Sequence, residues 1–180
     1  MTDTNHRELI LDQFTRQATV FSTAPAITDE DALRMIVEAA RPASVDRLLD
    51  VACGPGLVVC AFAPHVQEAT GIDATPAMLE RARKLAADKG LANVAWRQGD
   101  VYALPYKDAS FTIVTTRFSF HHFLDPVAVL REMVRVCAPG GRIVVIDDYA
   151  SEDPGKAAAF NRVEKIARPV AFPLPDLDRA

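Results

Sequence analysis

Leu48-Leu49-Asp50-Val51-Ala52-Cys53-Gly54-Pro55-Gly56 is the stretch on which the fold turns. An apolar run with one acid near its end stops at two glycines that flank a proline. That pattern is a buried strand followed by a tight turn. Glycines at such a place let backbone come close to a ligand, because a side chain would fill the ligand's space. A plain strand-to-helix turn accounts for the same pair equally well. The spacing is not GxGxxG, so a dinucleotide fingerprint fits poorly.

Outward from this stretch, strand and helix patterns alternate. Val66 to Ile72 reads as a second strand ending at Asp73, Val94-Ala95-Trp96 as a third, Phe111 to Thr115 as a fourth and Arg142 to Ile146 as a fifth. The fifth is apolar throughout, as a strand covered on both faces should be. Between them lie helices. Thr28 or Asp29 caps one that carries Leu33, Ile36, Val37 and Ala40 at helical spacing and ends at Pro42. Residues 57–63 form a short one. Thr75-Pro76 starts another, with Met78, Leu79, Ala82, Leu85 and Ala86 on one face, and Gly90 closes it. Asp125-Pro126 opens a helix with Val127, Leu130, Val134 and Cys137 facing inward, and Pro139-Gly140-Gly141 follows as a turn. Residues 6–21 and 154–167 also read as helical, and Pro169, Pro173 and Pro175 break up the tail. Strands alternating with helices predict a doubly wound α/β fold on a parallel sheet of five readable strands. In such sheets the ligand sits beyond the carboxyl ends of the strands, where strand order reverses.

Composition narrows the class. The chain has 180 residues, 49% of them hydrophobic, which suits one soluble domain with a sizeable core. A net charge of -4 gives no general basic field for nucleic acid. No apolar run approaches the ~20 residues of a membrane span, and the first residues lack the pattern of a signal peptide. The three cysteines, Cys53, Cys60 and Cys137, are odd in number and show no CxxC spacing, which points to a reduced, cytoplasmic setting without a metal site.

The residues just after each strand are the candidate binding groups. Asp73 lies about 20 residues beyond the first turn, where a carboxylate can accept from both hydroxyls of a ribose; the bland alternative is a helix cap or a surface acid. Asp100, in Gln98-Gly99-Asp100-Val101-Tyr102, can accept from an exocyclic amine such as adenine's, or be a solvated loop acid.

With Leu48 to Gly56, Gly71-Ile72-Asp73, Gly99-Asp100-Val101 with Leu104-Pro105, and Arg131-Glu132-Met133-Val134-Arg135-Val136 with Pro139-Gly140-Gly141, the chain resembles class I S-adenosylmethionine-dependent methyltransferases. The likeness covers about residues 45–150. Arg117-Phe118-Ser119-Phe120-His121-His122-Phe123 is similar to the small-molecule subgroup that includes ubiquinone/menaquinone C-methyltransferases. The resemblance implies a Rossmann-like core over 44–150, an N-terminal helical cover over 1–43, and a helix and proline-rich tail over 151–180. It implies S-adenosyl-L-methionine as cofactor and a small-molecule methyl acceptor. Asp50, Ala52, Cys53, Gly54 and Gly56 would line the methionine end, Asp73 the ribose, and Ala74 and Met78 the adenine or ribose. Asp100 and the Val101 amide would meet the adenine, while Arg117 and Phe118 would face the reacting methyl. The usual first glycine of the first motif is Ala52 here, and Thr112 stands where an aspartate is frequent. No Asn-Pro-Pro-Tyr-like motif follows the fourth strand, which counts against methylation of nucleobase or glutamine amides.

His121 and His122 are the candidates for acid-base work. The sulfonium methyl is already activated, so a base matters only where the acceptor must lose a proton. The alternative is one packed and one exposed histidine without a chemical role. Family members carry two further strands after the fifth, and only a helix and a tail follow it here. Two expectations come from that difference: a cofactor-binding or partner-binding domain without catalysis as the alternative function, and self-association through the free edge of the fifth strand. A nicotinamide oxidoreductase shares the sheet but not the glycine pattern.

Overall fold

The computed structural model describes residues 12, 14–16, 24–148, 153–156 and 158. Five strands, β1 (Arg47–Val51), β2 (Glu68–Asp73), β3 (Val94–Gln98), β4 (Phe111–Arg117) and β5 (Cys137–Ile146), form one sheet in the order β3-β2-β1-β4-β5. Every pair is parallel. Strand order therefore reverses at β1, between β2 and β4, and the carboxyl ends of all five strands share one rim. The helices that pack on the sheet are α1 (Glu30–Ala40), α2 (Leu57–Phe62), α3 (Pro76–Asp88) and α4 (Pro126–Val136), and a single turn, Pro25–Thr28, precedes α1.

Both faces of the sheet are covered, and two adjacent residues show it. Leu48 and Leu49 are each wholly buried, yet Leu48 packs with Ile36, Val59 and Phe62 while Leu49 packs with Val129 and Met133. Successive side chains of a strand point to opposite faces, so β1 carries apolar residues toward both, at Leu48, Leu49 and Val51. Burying each such side chain contributes roughly 1.5–3 kcal/mol. The outer strands β3 and β5 are only half-buried.

Local signals account for the helix ends. The Asp29 carboxylate accepts from the Asp31 and Ala32 amides at 3.0 and 3.1 Å and caps α1. Gly90 (φ +66°) closes α3, with its amide on the Ala87 carbonyl and the Leu91 amide on Ala86. Thr75 precedes α3 without a side-chain cap bond, and Pro76 at the first position supplies the start instead. The Arg142 guanidinium on β5 reaches the Ala40 carbonyl at the end of α1 and the buried Asp46 carboxylate at 2.5 Å. That clip ties an edge strand to the start of β1.

The structure corrects three sequence expectations. On α4 the buried residues are Val129, Met133 and Val136, whereas Val127 (54% exposed), Leu130 (38%) and Val134 (56%) face out. The helix carries two overlapping apolar stripes, and periodicity alone does not choose between them; the sheet takes the one that includes Met133. Cys137 does not face inward from this helix but opens β5. β5 itself runs over Cys137–Ile146, because Pro139-Gly140-Gly141 forms an irregularity inside the strand between the pairs Phe111–Cys137 and Ile113–Arg142. The helices expected over 6–21 and 154–167 fall largely outside the described residues, as do Pro169, Pro173 and Pro175; residues 12, 14–16, 154–156 and 158 are helical.

Candidate functional site

A cavity of about 580 Å³ opens on the rim formed by the carboxyl ends of the strands. The ends of β1, β2, β3 and β4 each contribute to it, as the topological reversal at β1 requires. Its size suits a ligand of nucleoside-plus-amino-acid dimensions.

Two buried acids sit at its base. Asp73 ends β2 and is 8% exposed. One of its carboxylate oxygens accepts from the Gly54 amide at 2.8 Å, the other from the Thr75 amide at 2.8 Å. The Thr75 side chain and the Ala74 amide act on the same carboxylate. Burial raises the Asp73 carboxyl above its ordinary value against the pull of these amides. Asp50, on β1, is 2% exposed and accepts from the Thr115 hydroxyl of β4 at 2.7 Å. The parallel register sets Asp50 opposite Gly71 on one side and Thr115 on the other. Burial pushes the Asp50 carboxyl up to about 7; the Thr115 bond opposes this, the charge of Asp73 adds to it and the Arg117 guanidinium opposes it. Two buried acids in one pocket make a site that favours a cation.

The glycine turn divides its labour. A Cβ on Gly54 (φ +51°) would meet nothing within 4 Å, so this backbone opens on space. Gly56 does not line the cavity: a Cβ there would lie 2.5 Å from the Trp96 ring and 2.8 Å from Ala82. Packing of Trp96 and a left-handed backbone (φ +82°) both call for glycine at 56. Ala52 sits at φ +55° and Phe118 at φ +53°, conformations that cost a non-glycine residue roughly 1–2 kcal/mol. Both lie directly after a strand and both line the cavity. Cys53 is a wall residue, 7% exposed, with a thiol that burial pushes well above its usual value.

The remaining expected residues converge. Ala74 and Met78 line the cavity beyond β2, and Asp100 and Val101 line it beyond β3. Asp100 accepts from the Tyr102 amide at 3.0 Å, which shapes the loop. Arg117 ends β4, donates to the Ile27 carbonyl at 2.8 Å and stacks over Phe118 at 4.5 Å. Ile27 and Phe14 reach the cavity from the N-terminal side. His122 lines the cavity and His121 does not, although both are buried. Thr112 takes the Arg47 amide at 2.9 Å and so supports the β1–β4 pair rather than the site. Among the described residues no group of three or more His, Cys, Asp or Glu side chains is placed to hold a metal.

Sequence reasoning passed over two helpers. Glu132 of α4 accepts from the Leu104 amide at 2.7 Å, and Arg135 bonds Glu132, the Leu104 and Tyr106 carbonyls and Asp108. Together they staple the loop that carries Asp100 and Val101. The second is Asp147, just after β5, bonded to His121. The charged pair inside the 131–136 motif was the available signal for the first; Asp147 follows an apolar strand as the other rim acids do.

A family model described as a methyltransferase domain matches residues 49–145. An uncharacterized methyltransferase of Bacillus subtilis, YcgJ, is 35% identical over 87% of this chain and 62% of its own length. The crystal structure of YcgJ superposes with a TM-score of 0.75 at 36% identity, over 82% of this chain and 63% of that one. A demethylmenaquinone methyltransferase of Deinococcus radiodurans is 44% identical over 56% of this chain and 42% of its own. A ubiquinone/menaquinone biosynthesis C-methyltransferase of Dinoroseobacter shibae is 35% identical over 67% and 49%. This chain thus spans about three-fifths of YcgJ and about half or less of the two quinone methyltransferases.

Relief of the strain at Ala52 is measurable. Ala52→Gly removes the left-handed penalty and adds only the entropy of a glycine in the unfolded chain, so it should raise stability by about 0.5–1 kcal/mol. A urea melt reads this as a higher midpoint at unchanged slope; a lower midpoint would mean that Ala52 is unstrained.

Proposed function

We propose, since this chain belongs to a family of S-adenosylmethionine-dependent methyltransferases, that its rim cavity holds S-adenosyl-L-methionine and presents the methyl group to a small-molecule acceptor. The observation that carries the reading is Asp73: a buried carboxylate at the end of β2 that lines the cavity, fixed by the Gly54 and Thr75 amides beside the open backbone of Gly54.

When bound, the cofactor supplies a methyl group activated by a positively charged sulfur. The chain's own residues do the rest. Asp73 accepts from the two ribose hydroxyls. Asp100 accepts from the adenine amine, the Val101 amide donates to a ring nitrogen, and Ala74 and Met78 pack beside adenine and ribose. Gly54 admits the amino-acid end, and Asp50 provides negative charge beside the ligand's cationic groups. Arg117 and Phe118 stand at the methyl end. The N-terminal segment, through Phe14 and Ile27, covers the cavity and excludes water. The acceptor enters on the aromatic side, between Phe118, Phe123, Phe14 and His122. Relatives named for quinone methylation favour an aromatic acceptor of similar polarity. The three free thiols, Cys53, Cys60 and Cys137, suit the reducing cytoplasm, and no helix among the described residues is long and apolar enough to cross a membrane.

A second copy of the chain is the partner in this reading. β5 pairs only with β4 among the described residues. Val145 on β5 is 44% exposed, and Val127, Leu130 and Val134 lie uncovered on α4. An unpaired strand edge with apolar residues exposed on it is a template for another chain. Light scattering on the 180-residue protein should therefore give a mass above that of one chain; a stable monomer at high concentration would remove this partner.

The cofactor reading is tested at Asp73. Charge-assisted bonds to two hydroxyls are worth about 1.5–3 kcal/mol each. Asp73→Ala should therefore weaken S-adenosylhomocysteine binding at least ~10-fold in a calorimetric titration, with helix content retained. Unchanged affinity would remove the ribose assignment.

A further inference from the structure

The connection from β3 to β4 differs from the others. β1, β2 and β4 each lead into a helix, whereas residues 99–110 contain neither helix nor strand. β3 and β4 are not neighbours either: β2 and β1 lie between them. The connection therefore has to cross two strands, and an extended residue covers about 3.3 Å where a helical one covers about 1.5 Å. Without helical hydrogen bonds, the backbone groups of this stretch need other partners. It is also the stretch that carries Gly99, Asp100, Val101 and Tyr102 into the cavity.

α4 supplies those partners. Just before its start, the Asp125 amide donates to the Tyr102 hydroxyl at 3.3 Å. Toward its end, Leu104 is held in both directions: its amide donates to Glu132 Oε2 at 2.7 Å and its carbonyl accepts from Arg135 Nη2 at 2.9 Å. Arg135 Nη1 donates to the Tyr106 carbonyl and to Asp108 Oδ1, both at 2.8 Å, and the Arg135 carbonyl accepts from the Ala109 amide at 3.0 Å. Glu132 takes Arg135 Nε and Nη2 at 2.8 and 2.7 Å, a two-point contact that fixes both side chains. That bond holds the Glu132 carboxyl below its ordinary value. Beneath the pair, the buried Val101 and Leu104 pack with Val129, Met133 and Val136 of α4. Asp100 itself closes a tight turn: its carboxylate accepts from the Tyr102 amide at 3.0 Å and its carbonyl from the Ala103 amide at 3.3 Å. Asp100 and the Val101 amide are thus held, through Leu104, by two side chains of α4 that do not line the cavity.

We propose that Glu132 and Arg135 are positioning residues for ligand selection: from outside the cavity they hold Asp100 and the Val101 amide in the arrangement that tells a 6-aminopurine from a 6-oxopurine. This rests on the S-adenosyl reading of the cavity. Adenine offers on one edge an amine that donates and a ring nitrogen that accepts. Asp100 accepts and the adjacent Val101 amide donates, so the two match that edge while their spacing is fixed. A hypoxanthine ring has the same shape but carries a carbonyl and an N–H on that edge. Both contacts then set like against like, oxygen against carboxylate and donor against donor. Such discrimination depends on a rigid frame. A loosened loop turns its carboxylate away from the wrong ring and gives up its bonds to the right one.

The test compares two ligands by calorimetric titration of the whole chain: S-adenosylhomocysteine and S-inosylhomocysteine, which differ only in that ring edge. The unaltered protein should bind the adenosyl ligand at least ~10-fold more tightly, the factor that one lost charge-assisted bond corresponds to. Arg135→Met keeps a long side chain and removes the fork. It should weaken S-adenosylhomocysteine about 5- to 10-fold and leave S-inosylhomocysteine within about twofold, so that most of the preference disappears. Arg135→Lys keeps a charge opposite Glu132 without the fork and should fall between the two. Glu132→Gln, which loosens Arg135 while keeping an oxygen for the Leu104 amide, should lower the preference in the same sense and serves if Arg135→Met does not fold. Circular dichroism identifies the folded variants. An unchanged preference in these, or both ligands weakened in parallel as a general loss of stability would give, would overturn the proposal alone. An unaltered protein that binds both ligands equally would overturn the adenine assignment of Asp100 and Val101, and the proposal with it. One that binds neither would overturn the cavity reading as a whole.

Discussion

Two carboxylates buried next to each other are costly, and much of this molecule is arranged around that cost. Asp73 ends β2 and Asp50 lies one residue before the end of the neighbouring β1, and each is nearly free of solvent. A parallel sheet whose order reverses at β1 brings those strand ends together. The folded chain meets part of the cost with donors: the Gly54 and Thr75 amides on Asp73, and the Thr115 hydroxyl on Asp50. It meets another part by keeping a proton on Asp50 up to a pH of about 7. A carboxyl whose pKa is raised by folding favours the folded state at low pH, and that contribution is lost as pH rises through about 7. A cationic ligand removes the penalty, so the pocket stores binding free energy for a positive charge.

The rest of the rim is shaped to keep that pair addressable. Ala52 and Phe118 leave their strands in left-handed backbone, and both line the cavity. Gly54 opens backbone onto the cavity, while Gly56 yields room to Trp96. Glu132 and Arg135 hold the loop of Asp100 and Val101 through backbone groups of Leu104 and Tyr106. None of these residues needs to touch a ligand to decide where one can lie.

The local chemistry of the sequence made much of this legible. Asp50, Asp73, Asp100 and the glycine turn are single residues at strand ends, and a strand end is a place that periodicity and a following glycine or proline reveal. The Asp29 cap and Gly90 closure are equally local. What escaped was set by choices between near-equal packings. The stripes Val127-Leu130-Val134 and Val129-Met133-Val136 both step by three and four residues, and only the sheet decides which is buried. Gly56 looks like Gly54 until the Trp96 ring is in place, since residues far apart in the chain make that contact. Asp147 and His121 are separated by α4 and β5, and no pattern along the chain links them.

The central claim is that the Asp50–Asp73 pair receives a cationic S-adenosyl ligand. Calorimetric titration with S-adenosylmethionine near pH 7, where Asp50 titrates, tests it most directly when repeated in buffers of different ionisation enthalpy. Binding should be accompanied by proton release, visible as a heat that changes with the buffer, and the release should fade at higher pH where Asp50 is already ionised. Binding with a heat independent of the buffer near pH 7, or no binding at all, would contradict the account.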